Sequence, residues 1–97
     1  MNSLRLEREC LATRVELAAD SLIVSLNDGR RVSIPLTWYP RLLRGTRQER
    51  AHFEFIGEGE GIHWPELDED ISVEGILAGR PSQESQTSLQ KWLKKRG

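Results

Sequence analysis

The chain has 97 residues, 37% of them apolar and 30% charged, with a formal net charge of −1. A chain of this length bounds the answer to one small domain with a thin core, and patterned apolar runs at near-zero net charge exclude wholesale disorder. Cys10 is the only cysteine, which excludes an internal disulfide and cysteine-rich zinc chemistry, and no apolar stretch approaches the roughly 20 residues that span a bilayer. The opening "MNSLRLEREC" alternates charge with leucine and lacks the apolar middle of a signal peptide, so a reducing, cytoplasmic setting is expected.

Residues 1–12 read as an N-terminal arm, 13–81 as an α+β domain, and 82–97 as a polar linker with an amphipathic helix. In "TRVELAADSLIVSLNDGRRVSIPL", Val15 and Leu17 alternate with polar neighbours, as do Leu22, Val24 and Leu26, and then Val32, Ile34 and Leu36. A period of two marks strands with one buried face, and Asn27-Asp28-Gly29 supplies a hairpin turn, so a three-stranded antiparallel meander is expected. Beyond Pro35 the spacing of Trp38, Leu42 and Leu43 predicts a short helix near 38–44, with Pro40 in its first turn. Thr46 with Glu49 three residues on is a capping-box signature, which predicts a second short helix near 46–51.

Alternation returns at Phe53 and Phe55 and again at Ile62 and Trp64, around glycines 57, 59 and 61, and predicts one or two further strands ended by Pro65. In "DEDISVEGILAG", Asp70 or Ser72 is the expected N-cap of another helix, with Asp68, Glu69 and Asp70 complementing its dipole. Leu89, Trp92 and Leu93 share one face of a tail helix whose last turn is cationic. The expected architecture is α+β, an antiparallel sheet with short helices packed on one face and a C-terminal helix.

The segments "DGRRVSIPL", "WYPRLL" and "IHWPELDEDISVEGILAG" resemble a family of small bacterial proteins, domain of unknown function 2442, over roughly residues 13–81. The most specific element is the WP-x-LDEDI run from Trp64 to Ile71. The resemblance implies a compact α+β domain, in some members joined to a helix-turn-helix domain. It also implies neighbouring genes arranged like toxin–antitoxin pairs, and it carries no catalytic residues.

Chemistry-bearing patterns are sparse. "GEGEGIHWPELDEDI" packs six carboxylates into residues 57–71, yet counting an EF-hand loop from Asp68 puts valine sixth and glycine twelfth, so that template fails. A looser divalent-cation site from Glu58, Glu60, Asp68 and Asp70 is the alternative to capping and solvation. The G-x-G-x-G run precedes a strand and sits among carboxylates that would repel phosphate, which excludes a dinucleotide fingerprint. His52 and His63 lack H-E-x-x-H spacing, and no serine or cysteine sits in a nucleophile motif.

Charge is segregated along the chain. Arg41, Arg44, Arg47 and Arg50 recur every third residue, whereas 51–79 holds eight carboxylates and no Lys or Arg. The sequence therefore predicts a non-catalytic protein-interaction module without a cofactor, in an antitoxin-like pairing with a small protein or in self-association. Leu89, Trp92 and Leu93 would be its contact stripe. The alternative is a nucleic-acid-linked transcriptional regulator or accessory using the arginine ridge, against which a pI near 6.1 weighs.

Overall fold

The meander forms as its alternation dictates. In the computed structural model, which describes residues 10–96, strands β1 (Ala12–Leu17), β2 (Ser21–Leu26) and β3 (Arg31–Pro35) pair antiparallel in sequence order. Val24 lies between Val15 and Val32 in register, and Leu22 between Leu17 and Ile34. The central strand sends Leu22, Val24 and Leu26 inward, all buried. Gly29 closes the β2–β3 turn at φ 97°, and Asp28 accepts from the Arg30 amide at 3.0 Å. The expected N-terminal arm lies outside the described residues except for its last three.

The helix expected near 38–44 divides in two. Leu36–Trp38 is a 3-10 turn, Tyr39 is non-helical, and α1 (Pro40–Arg44) begins at the proline. Proline tolerates the first helical position but disfavours a helical conformation in the residue before it, which accounts for the break at Tyr39. Helix α2 (Arg47–Ala51) starts from the expected capping box: Thr46 Oγ1 accepts from the Glu49 amide at 3.0 Å, and Glu49 accepts from the Thr46 amide at 2.9 Å.

A second sheet contains three strands, β4 (Glu54–Ile56), β5 (Gly61–Trp64) and β6 (Glu69–Ser72), where the pattern indicated one or two. The additional strand is the stretch expected to start a helix. Asp68 adopts φ 52°, which asparagine and aspartate tolerate better than other side-chain-bearing residues, and the chain reverses there so that 69–72 runs back along β5. Glu69 and Ile71 consequently face inward, and Asp70 and Ser72 outward. Helix α3 (Val73–Leu77) begins one residue later, capped by Ser72 Oγ accepting from the Gly75 amide at 2.9 Å. Helix α4 (Gln86–Arg96) completes the order.

Buried residues of both sheets join in one core with Leu36, Tyr39, Leu42 and Leu67, and Trp64 is its largest fully buried side chain. The β4–β5 turn is tied to the first sheet by the Ala12 amide donating to Gly59 O at 2.8 Å. Gly59 has φ 113°, and a Cβ there would stand 2.5 Å from Ala12 O and 3.0 Å from Ala12 N. Gly59→Ala should therefore destabilise the domain by about 2–3 kcal/mol, combining backbone strain with a clash that backbone cannot relieve. Gly29→Ala, with a similar φ but no atom within 4 Å, should cost about 1 kcal/mol. Urea denaturation of the two variants compares them directly, and equal losses would remove the close-approach explanation.

Candidate functional site

The four arginines do not form one ridge. Arg41 turns inward, its side chain 15% exposed, and clamps Glu84 through Nε (2.9 and 3.0 Å) and Nη2 (2.6 Å). Its Nη1 reaches Leu67 O, Asp68 O and Asp68 Oδ2. Arg50 donates to the carbonyls of Leu42 and Leu43 at the end of α1. Only Arg44 and Arg47 project as exposed cations, and neither has an ion-pair partner among the described residues. A carboxylate-rich domain with short helices has open helix carbonyls and crowded anions to satisfy, and these take half of the ridge.

The tail stripe is engaged within the chain as well. Leu89 is buried, and Trp92 packs against the core with the Arg41 guanidinium 4.9 Å and the Arg96 guanidinium 4.7 Å from its ring centroid. Arg96 also reaches Glu49 of α2 at 2.8 Å. Helix α4 thus turns Leu89 and part of Trp92 toward its own domain, and Leu93 is half-buried beside them.

Nor do the acidic residues converge. Among the described residues no three His, Cys, Asp or Glu side chains come close enough to hold a metal ion. Glu60 accepts from the Glu58 amide at 2.8 Å within its own turn, Asp68 meets Arg41, and Asp70 pairs with His63. His52 pairs with Glu66.

Two features appear that the sequence reading did not single out. The first is a groove of about 460 Å³ between β1 and α2, floored by Val15, Leu17, Ala18 and Phe53 and rimmed by Arg47 and Arg50. It runs beside an open strand edge. The Ala18 amide donates to Ser21 O at 2.8 Å, which fixes alternate residues Glu16 and Arg14 as those bonded to β2. The main-chain groups of Val15 and Leu17 therefore face away from the sheet, and no backbone partner meets them among the described residues. Phe55 and Ile56 of the other sheet's edge strand β4 are also exposed.

The second feature is Glu69, only 8% exposed. Burial, chiefly, pushes its carboxyl up to about 7; Arg41 opposes this, and Glu84, Asp70 and Asp68 add to it. Arg41 has one guanidinium for three surrounding carboxylates, and its donors go to the other two. Its clamp holds the Glu84 carboxyl below the usual range, whereas Tyr39, buried and facing Glu69, is raised. A folded-state value above the unfolded 4.5 means stability is fully present below pH 4.5 and is lost as pH rises through about 7. The loss is on the order of 2–3 kcal/mol. Glu69→Gln should therefore abolish this decline and melt higher than the parent at pH 8, with little difference near pH 4.5, as thermal unfolding between those values will read. A sequence signal existed: Glu69 has the same parity as Ile71, but it became visible only once 69–72 was a strand.

A family model described as protein of unknown function (DUF2442) matches residues 12–82, from the first strand through the segment preceding α4. The chain belongs to this family. Two solved structures share the family domain's fold. One is a crystal structure of a protein of unknown function from Rhodospirillum rubrum, 26% identical, with a TM-score of 0.69, covering 81% of this chain and 98% of that one. The other is a solution structure of an uncharacterized protein, CV0863, from Chromobacterium violaceum, 21% identical with a TM-score of 0.66, covering 92% and 81%. No curated protein matches the chain. Within the family match lie β1, the α2 rim and Glu69; α4 lies beyond it.

Proposed function

We propose that this domain is a non-catalytic protein-interaction module that captures an extended, acidic-and-apolar peptide segment along β1. The observation that carries the proposal is the coincidence of three things at one place: the main-chain edge at Val15 and Leu17, which meets no backbone partner among the described residues, the apolar groove beside it, and on its rim Arg47, which has no ion-pair partner among them. An added strand gains affinity from main-chain hydrogen bonds and specificity from pockets that take alternate side chains. Arginine at the rim favours acidic residues on the solvent side and rejects basic ones. Arg14 and Glu16, paired at 2.8 Å on the outer face, are charges of the kind that keep an edge from pairing indiscriminately. Covering an exposed acidic segment of a small partner protein in this way is how an antitoxin-like role would operate. The setting we propose is the cytoplasm, in keeping with a free Cys10; among the described residues no helix is long and apolar enough to cross a membrane.

Titration with a short synthetic peptide alternating valine and glutamate, followed by calorimetry, tests the proposal. The peptide should bind, the valine–lysine counterpart should not, and Arg47→Glu should weaken binding by about tenfold or more. Equal binding of the two peptides, or indifference to Arg47→Glu, would refute the groove as the contact. Binding of duplex DNA in preference to the peptide would instead favour the arginines as phosphate contacts.

A further inference from the structure

A second cleft, of about 290 Å³, shares no residue with the groove and is lined by Tyr39, Glu69, Ile71, Arg80 and Pro81 among others. Two of its polar lining residues are buried without a side-chain hydrogen bond among the described residues. The Glu69 carboxyl and the Tyr39 hydroxyl belong to residues 8% and 4% exposed, and neither has a hydrogen bond from any described residue. Buried polar groups are nearly always satisfied, so an unfilled pair lining one cleft calls for an occupant. Its charge follows from the surroundings. Asp68, Asp70 and Glu84 act on Glu69 with negative charge against Arg41 alone, whose donors point to Glu84, Leu67 and Asp68. His63 takes up Asp70. With Arg41 committed to Glu84 and the Asp68 turn, the surroundings of Glu69 favour a cation. Ile71, Pro81 and the Tyr39 ring give the cleft apolar wall for a short hydrocarbon stem.

We propose that this cleft binds an alkylammonium group, from a small amine or from a lysine side chain of a bound peptide, with its N–H groups donating to the Glu69 carboxylate and the Tyr39 hydroxyl. Arg80, exposed and without an ion pair among the described residues, lines the same cleft and is the internal competitor for the carboxylate. The charged groups that act on Glu69 are Arg41 in α1, Asp68 in the turn, Asp70 in β6 and Glu84 ahead of α4, and Tyr39, ahead of α1, and Arg80, after α3, line the cleft with it. Because ammonium binds the ionised carboxyl, affinity should rise as pH passes upward through about 7.

The test is titration of the full chain with n-butylammonium, n-butanol and acetyl-Gly-Lys-Gly-amide, followed by NMR shifts of the Tyr39 ring and Ile71 methyls. At least one amine should shift them at pH 8 and more weakly at pH 6, while n-butanol should not. Glu69→Gln, confirmed as folded by its melting curve, should weaken amine binding by about tenfold or more, and Arg80→Ala should bind as tightly or more tightly. A tighter peptide assigns the site to a lysine side chain, and a tighter n-butylammonium assigns it to a small amine. No shift with either amine, undiminished binding by Glu69→Gln, butanol binding equal to the amine's, or weaker binding by Arg80→Ala would overturn the proposal. The pH comparison on the unaltered chain decides the matter independently of how any variant folds.

Discussion

Replacing Arg41 by alanine should destabilise the domain by about 3–5 kcal/mol, more than its surface-like sequence context suggests. Arg41 and Glu84 are 15% and 11% exposed, so the pair has lost most of its water, and breaking it from one side leaves an uncompensated carboxylate. Asp68 loses its partner in the same step, and Glu69 loses the Arg41 charge that favours its ionised form, driving that carboxyl still higher. The same guanidinium sits over Trp92, so α4 is released on one side. Arg41→Lys should recover part of the loss, because a single ammonium cannot reproduce the three contacts to Glu84. Urea unfolding at pH 8, with the NMR signal of the Trp92 indole N–H reporting on α4, measures both effects. A loss below about 1 kcal/mol would mean the pair behaves as a solvated surface bridge.

Trp64→Ala should be as severe, about 3–5 kcal/mol. The side chain is fully buried, tilts against Phe53 at 6.1 Å between ring centroids, and donates its Nε1–H to Arg50 O at 2.9 Å. It therefore joins β5 to the end of α2, which forms one wall of the β1 groove. Against a total stability of roughly 5–15 kcal/mol for a domain of this kind, the variant should be largely unfolded at physiological temperature. Trp64→Phe separates the contributions: it retains most of the packing and orphans the Arg50 carbonyl, for a loss of about 1–3 kcal/mol. Thermal denaturation followed by circular dichroism distinguishes the two variants, and similar melting points would place the cost in the hydrogen bond.

The elements that the sequence disclosed are those in which side-chain period and local capping agree. Leu22, Val24 and Leu26 announce a central strand; Thr46 and Glu49 announce α2 before any tertiary contact exists. Strand β6 was hidden because Glu-Asp-Ile-Ser carries only one apolar residue and follows carboxylates suited to a helix start. What makes it a strand is the left-handed turn at Asp68 and pairing with β5, both tertiary facts. Function was hidden for a related reason. Every third residue being arginine is a property of the chain, but whether an arginine meets solvent depends on where Glu84 and the α1 carbonyls end up. An amphipathic tail likewise shows that a face will be covered and leaves open what covers it, which here is the domain itself. The open edge at Val15 and Leu17 is a matter of sheet order, which alternation alone does not specify.

Amide hydrogen exchange at β1, with and without a saturating valine–glutamate peptide, is the most direct test of strand capture. The Val15 and Leu17 amides, which face away from β2, should exchange quickly in the free protein and slow markedly when the peptide is bound, while Glu16 stays protected throughout. Unchanged exchange at Val15 and Leu17 in a peptide-saturated sample would show that the edge is not where a partner is held.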